Sequence, residues 1–165
     1  MKIVLATHNR DKCREMVSIL SDFPLDILTL YDFPEIGEII EDGGSLEENS
    51  LIKARTVFKE TKLPSWGDDT GLEVDALNGE PGIYSARYAG KSCSYSDNVT
   101  KLMKNMLSVL EKDRTDRFKT AIDIVGENME VVSGGSVEGL SAIEPKGVGG
   151  FGYDPVLYVR EKEKT

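Results

Sequence analysis

Between Ser65 and Asp75 the chain reads SWGDDTGLEVD, the stretch that most restricts how it can fold. Two full negative charges, Asp68 and Asp69, stand side by side at what reads as the end of a strand. The apolar segment Leu63–Gly67 precedes them, and GLEVDAL, alternating in strand fashion, follows. Adjacent ionised carboxylates repel and destabilise a fold unless a cation or hydrogen-bond donors compensate. Successive side chains of an extended segment point to opposite faces, so the two acids are expected to act separately. One would hold a metal while the other orients or deprotonates water. The alternative is a turn in which Asp69 caps its own backbone ahead of Gly71.

The rest of the chain reads as α/β. KIVLAT is a short apolar strand, and NRDKCREMVSILSD continues as a helix with Met16, Val17, Ile19 and Leu20 at near-helical spacing. LDILTL is a second strand, followed by an acidic loop broken by Pro34, Gly37, Gly43 and Gly44. Ser45 and Glu48 form a capping box that opens a helix with Leu51, Ala54 and Phe58 on one face, closed by Pro64. A third amphipathic helix is expected from Ser96 to Lys112. RFKTAIDIVG then alternates at Phe118, Thr120, Ile122 and Ile124, and with ENMEVVSGG and VLYV reads as antiparallel strands. At 165 residues the chain fits one domain with a mixed sheet and flanking helices.

Charge narrows the partners. A net charge of −9 offers no basic stripe to displace counterions from nucleic acid, so no nucleic-acid partner is expected. No apolar run approaches membrane-spanning length, and MKIVLATHNRDK reads as a first strand rather than a signal peptide, so a soluble cytoplasmic protein is expected. Cys13 and Cys93 are isolated thiols that suit a reducing compartment. An anionic substrate would be met locally, by a metal ion and a few lysines.

Three further segments carry chemistry. In ATHNRDK a strand ends at Thr7, His8 and Asn9, and Lys12 lies in the first turn of a helix. Hydroxyl, amide, cation and helix N-terminus would make a triphosphate cradle, the alternative being an ordinary turn with Asn9 as cap. Glu35, Glu38, Glu41 and Asp42 form an acidic loop ahead of the helix that carries Lys53; it is either solvated or the source of one Mg²⁺ carboxylate. In GVGGFGYDP, Gly149, Gly150 and Gly152 permit close backbone approach, Phe151 and Tyr153 offer rings for stacking, and Asp154 offers an acceptor. A glycine-rich hairpin is the alternative.

Taken in order, Thr-x-Asn-x-x-Lys after the first strand, EENSLIKA, DDTGLEVDALNGEPGIYSARYAG and GVGGFGYDP resemble the inosine-triphosphate pyrophosphatase family. The resemblance implies a Mg²⁺-dependent hydrolase that cleaves noncanonical purine nucleoside triphosphates (ITP, dITP, XTP) to the monophosphate and pyrophosphate. It also implies a homodimer and an elongated mixed sheet with a substrate cleft between two lobes. Carried over, Thr7, Asn9, Lys12 and Lys53 face the phosphates, and His8, where the family often has Gly, is counted with the substrate-binding residues. Glu41 and Asp69 are the metal ligands, Asp69 also the general base, with Asp68 in support and Thr70 a substrate-contacting hydroxyl. Phe151, Gly152, Tyr153 and Asp154 fall where the purine is held, Phe151 stacking on it. The family pattern continues beyond a VLYV-like strand through an acidic helix into a Ser-His-Arg motif, whereas this sequence stops at Thr165. Two other readings stay open: a pyrophosphatase for modified pyrimidine nucleotides, and a nucleotide-binding module with impaired turnover.

Overall fold

The structure, a computed structural model, describes residues 1–147 and 150–159; Gly149 and the last residues of the chain lie outside them. Six strands make one mixed sheet in the order β2-β1-β3-β4-β5-β6. They are β1 (Lys2–Leu5), β2 (Asp26–Thr29), β3 (Ser65–Val74), β4 (Thr115–Gly126), β5 (Met129–Ser141) and β6 (Leu157–Tyr158). β1 runs parallel to β2 and β3, as its buried apolar run requires, and β6 is antiparallel to β5. Three helices accompany them: α1 (Arg10–Ile19), α2 (Leu46–Thr61) and α3 (Tyr95–Asn105). No described helix is long and apolar enough to cross a membrane.

The chain forms two compact units. The first comprises Met1–Asp69 and Ala121–Gly134; the second comprises Thr70–Thr120 and the chain from Gly135 on. In the first, Val4 and Ala6 pack with Leu30, Ile36 and Val57. In the second, Leu72, Val74, Val99, Leu102 and Met106 join Tyr153, Val156 and Leu157.

Several expectations are corrected by packing. SWGDD is not a strand end: Ser65 to Val74 is one ten-residue strand. What ends there is its neighbour, since β1 pairs with Ser65 and Trp66 and Ala6 N–H then donates to the Trp66 carbonyl, one residue short of Gly67. The inward face of α1 is Cys13, Met16 and Leu20, whereas Val17 and Ile19 are exposed. On α2 the buried face is Leu46, Asn49, Ser50, Lys53, Ala54 and Val57, half of it polar, with Leu51 and Phe58 only half-buried. Ser45 does cap α2 by accepting from Glu48 N–H, but the Glu48 carboxylate turns to Gly44 N–H rather than closing the box. On β4 Phe118 and Thr120 turn inward as expected, half-buried on either side of the exposed Lys119, but from Ala121 on the parity reverses: Ala121, Asp123 and Val125 are buried and Ile122 and Ile124 only half-buried. Neither oxygen of Asp123 finds a hydrogen bond of good geometry; burial pushes its carboxyl pKa up, and the nearby Ser50 hydroxyl opposes that only in part.

The third helix ends at Asn105, well short of Lys112. The cause is Arg114, which is 4% exposed and whose guanidinium donates to the carbonyls of Met106, Val109, Ser141 and Ala142. A planar five-donor cation thus satisfies two carbonyls, those of Met106 and Val109, that a longer helix would have bonded itself. Arg114→Met should therefore lower unfolding free energy by about 3 kcal/mol in urea titrations, because several buried carbonyls lose their donor together. A change under about 1 kcal/mol would mean that water replaces the guanidinium.

Two residues further on, in β4, Asp116 is 1% exposed and accepts from Ser141 Oγ at 2.5 Å, while its other oxygen has no partner among the described residues. Burial pushes its pKa from 3.8 up to about 6, against the pull of Ser141. A carboxyl whose folded pKa is raised costs stability as pH rises from the unfolded value through the folded one, and the loss is complete above it. Wild type should therefore lose stability relative to Asp116→Asn between pH about 4 and about 6. The variant should be the more stable at pH 7 by on the order of 2 kcal/mol, read from urea unfolding across pH 4–8.

Candidate active site

The strand-to-helix turn at Thr7–Lys12 comes first in the chain. Thr7 is buried and its Oγ1 accepts from Asn9 N–H at 3.2 Å. Asn9 is the N-cap of α1: its Oδ1 accepts from Asp11 and Lys12 N–H, so the helix end satisfies part of its own anion-binding capacity. His8 is exposed, and its carbonyl accepts from Tyr31 Oη at 2.7 Å. Lys12 projects from the first turn onto Asp68, with Nζ 2.5 Å from Oδ2.

The paired acids divide as strand alternation requires. Asp68 turns to α1 and Lys12, whereas Asp69 turns to α2, where Lys53 Nζ lies 3.3 Å from Oδ1 and Asn49 Nδ2 lies 3.2 Å from Oδ2. Both carboxylates are buried, 5% and 8% exposed, so each needs the partner it has. Lys53 also reaches Glu41 Oε2 at 3.3 Å, which separates Glu41 from Glu35, Glu38 and Asp42, all exposed.

Gly67 makes this register possible. A Cβ there would lie 2.1 Å from the Ser50 carbonyl oxygen and 3.0 Å from the Ala54 nitrogen, so α2 rests backbone to backbone on β3. Sequence reasoning missed both Gly67 and Asn49. The available signals were a glycine inside a strand and the i, i+4 spacing of Asn49 with Lys53, which puts both on one helical face.

Three carboxylates and two lysines are linked by these contacts, leaving one negative charge in excess. Asp68 Oδ1 is buried and has no hydrogen-bond partner among the described residues. Hard oxygens, an excess negative charge and an orphaned carboxylate oxygen suit a divalent cation. Among the described residues no three His, Cys, Asp or Glu side chains converge as a cage, so one or two carboxylates would share it with substrate oxygens, as Mg²⁺ prefers.

The remaining candidates lie in the second unit. The Thr70 hydroxyl is 2.7 Å from that of Thr120. Tyr153 is 4% exposed, its ring beside Phe118 and its hydroxyl donating to the Ser85 carbonyl. The core therefore holds one of the two rings expected to stack. Phe151 is half-buried, 5.9 Å between centroids from Tyr95. Asp154 Oδ2 accepts from Phe151 N–H, and Gly150 and Gly152 take positive φ of 75° and 62° to form the turn around it.

Fold and site describe a hydrolase-like carboxylate–lysine centre on a mixed α/β sheet, and similarity to known proteins gives the family. The Ham1 family profile matches residues 3–165. The dITP/XTP pyrophosphatase of Geobacter sulfurreducens is 42% identical over 165 residues, covering 99% of this chain and 83% of that protein. The one from Vibrio parahaemolyticus is 45% identical over 163 residues, covering 97% and 81%. Among solved structures, a HAM1 protein from Coxiella burnetii superposes with a TM-score of 0.89 at 36% identity, over all of this chain and 85% of the other. The Ham1 protein of Staphylococcus aureus gives 0.86 at 37%, over all of this chain and 84% of the other. The chain belongs to the Ham1 family.

Gly67→Ala should test the α2–β3 contact. The methyl cannot be absorbed against helix backbone, so unfolding free energy should drop by about 3 kcal/mol. A loss below about 0.5 kcal/mol in urea denaturation would show that the helix can lift without consequence.

Proposed function

We propose that this protein hydrolyses noncanonical purine nucleoside triphosphates, with dITP, XTP and ITP as substrates and the monophosphate and pyrophosphate as products. The observation that carries the reading is the Asp69 carboxylate. It is held between Asn49 and Lys53, with Glu41 on the same lysine, in a chain more than 40% identical to dITP/XTP pyrophosphatases.

Glu41 and Asp69 would hold Mg²⁺, which when bound neutralises phosphate charge and polarises the scissile anhydride. The chain's own groups do the rest. Asp69 accepts a proton from the attacking water, since an ionised carboxylate restrained at both oxygens is a base of fixed direction. The bond between the α- and β-phosphoryl groups breaks and pyrophosphate leaves. Lys12 and Lys53 exchange their carboxylate partners for phosphate oxygens and stabilise charge as that bond breaks. Asp68 holds Lys12 in place until then. Thr7 and Asn9 shape the turn on which the phosphates rest, with His8 at its rim. Thr70 is assigned a substrate contact, and Phe151, Gly152, Tyr153 and Asp154 the base, with Phe151 supplying the ring. The same reading makes the protein a single functional domain, a homodimer, and an enzyme of the cytoplasmic nucleotide pool.

Pyrophosphate release should be Mg²⁺-dependent and faster from dITP, XTP and ITP than from GTP, ATP or dTTP. Equal turnover of GTP would sink the substrate assignment. Asp69→Asn should cut kcat by about 10³-fold or more, since base and ligand go together. Near-normal turnover in that variant would move the base elsewhere.

A further inference from the structure

Asn49 enters the scheme above only as a contact of Asp69, with no role of its own, yet it is the most completely enclosed polar side chain beside Asp69, with 0% exposure. Its amide is committed at both ends. Oδ1 accepts from Gly43 N–H at 2.9 Å, and Nδ2 donates to Asp69 Oδ2 at 3.2 Å. The orientation is chemically forced: a backbone N–H can only donate, so the amide oxygen must face Gly43 and the NH₂ group must face the carboxylate. Gly43 is what lets the loop come this close, because a Cβ there would lie 2.7 Å from Asn49 Oδ1.

The two donors on Asp69 differ in kind. Lys53, one turn further along α2, carries its ammonium on a flexible stem and shares it between Asp69 and Glu41. Phosphate oxygens compete for such a cation. Asn49 is neutral, short and pinned from behind by the loop, so nothing that draws Lys53 away dislodges it. At 3.2 Å its bond is at the long end of the normal range, and its value lies in direction more than in energy.

We propose that Asn49 is a positioning residue that fixes the plane of the Asp69 carboxylate, using Gly43 N–H as its own anchor, so that the carboxylate keeps its aim when Lys53 changes partners. This rests on the role given to Asp69 above. Asn49→Asp separates this role from a merely structural one. The substituted carboxylate can still accept from Gly43 N–H, which preserves the loop contact, but in its ionised form it offers Asp69 no donor and sets a second negative charge against it.

The expected result is a fall in kcat of about 100-fold with dITP and KM within about 3-fold of wild type. Asn49→Asp and Asn49→Ala should each unfold in one cooperative transition followed by circular dichroism, so that a lost kcat is not a lost fold. A kcat for Asn49→Asp within about 3-fold of wild type would overturn the proposal, because the loop contact alone would then suffice. Mn²⁺ affinity of the nucleotide-free protein, measured by EPR, gives an arm that needs no turnover. Asn49→Ala should bind about 10-fold more weakly than wild type, the usual effect of freeing a metal-ligating carboxylate from its support. Unchanged Mn²⁺ affinity in Asn49→Ala would also overturn the proposal. A wild-type protein that binds Mn²⁺ but fails to turn over dITP would reject the substrate reading while leaving this arm decisive.

Discussion

At Gly67 helix α2 meets strand β3 with no side chain between them, and the arrangement of the site follows from that contact. At Gly67 the strand presents only backbone to Ser50 and Ala54 of the helix. Gly67 and Asp69 are two residues apart in a strand and so face the same way. Asn49 and Lys53 are each one residue before the two helix positions that meet Gly67. Setting the helix down at Gly67 therefore brings that pair over Asp69, one donor to each oxygen. A larger residue at 67 would raise the helix and open both contacts together.

The same alternation sends Asp68 to the other face, where Lys12 answers it. Adjacent carboxylates are tolerated because each has its own lysine from a different helix, α1 for one and α2 for the other. Buried ion pairs contribute little net stability, since desolvation offsets much of the attraction. Their use here is that the lysines are held in place while remaining exchangeable. With three acids and two lysines the cluster keeps one negative charge in excess, and in the proposed mechanism it is the two lysines that pass to phosphate.

The strand–helix order, the N-caps at Asn9 and Ser45 and the division of Asp68 from Asp69 were legible in the sequence because they depend on neighbours one to four residues away. The faces were not. Asp123 reads as an outward residue of an alternating strand but is buried, and Lys53 and Asn49 belong to a helix face that looks half polar on paper. Hydrophobic pattern cannot report a buried polar face, because its partners come from distant parts of the chain. The end of α3 is hidden for the same reason: Arg114, nine residues beyond Asn105, bonds the carbonyls of Met106 and Val109 just past the helix and those of Ser141 and Ala142 as well.

By itself the sequence determined the chemistry on offer: oxygen ligands, lysines and a capped helix in an order that resembles one pyrophosphatase family. The tertiary structure decided which of them meet. It chose Glu41 from four acids by placing it on Lys53, put Tyr153 in the core and left Phe151 half-buried, and drew Asn49 onto Asp69 through a glycine that carries no chemistry of its own. Residue type and short-range spacing are written along the chain. Which side chains touch depends on how closely two backbones approach, and that is settled only when helix and strand pack.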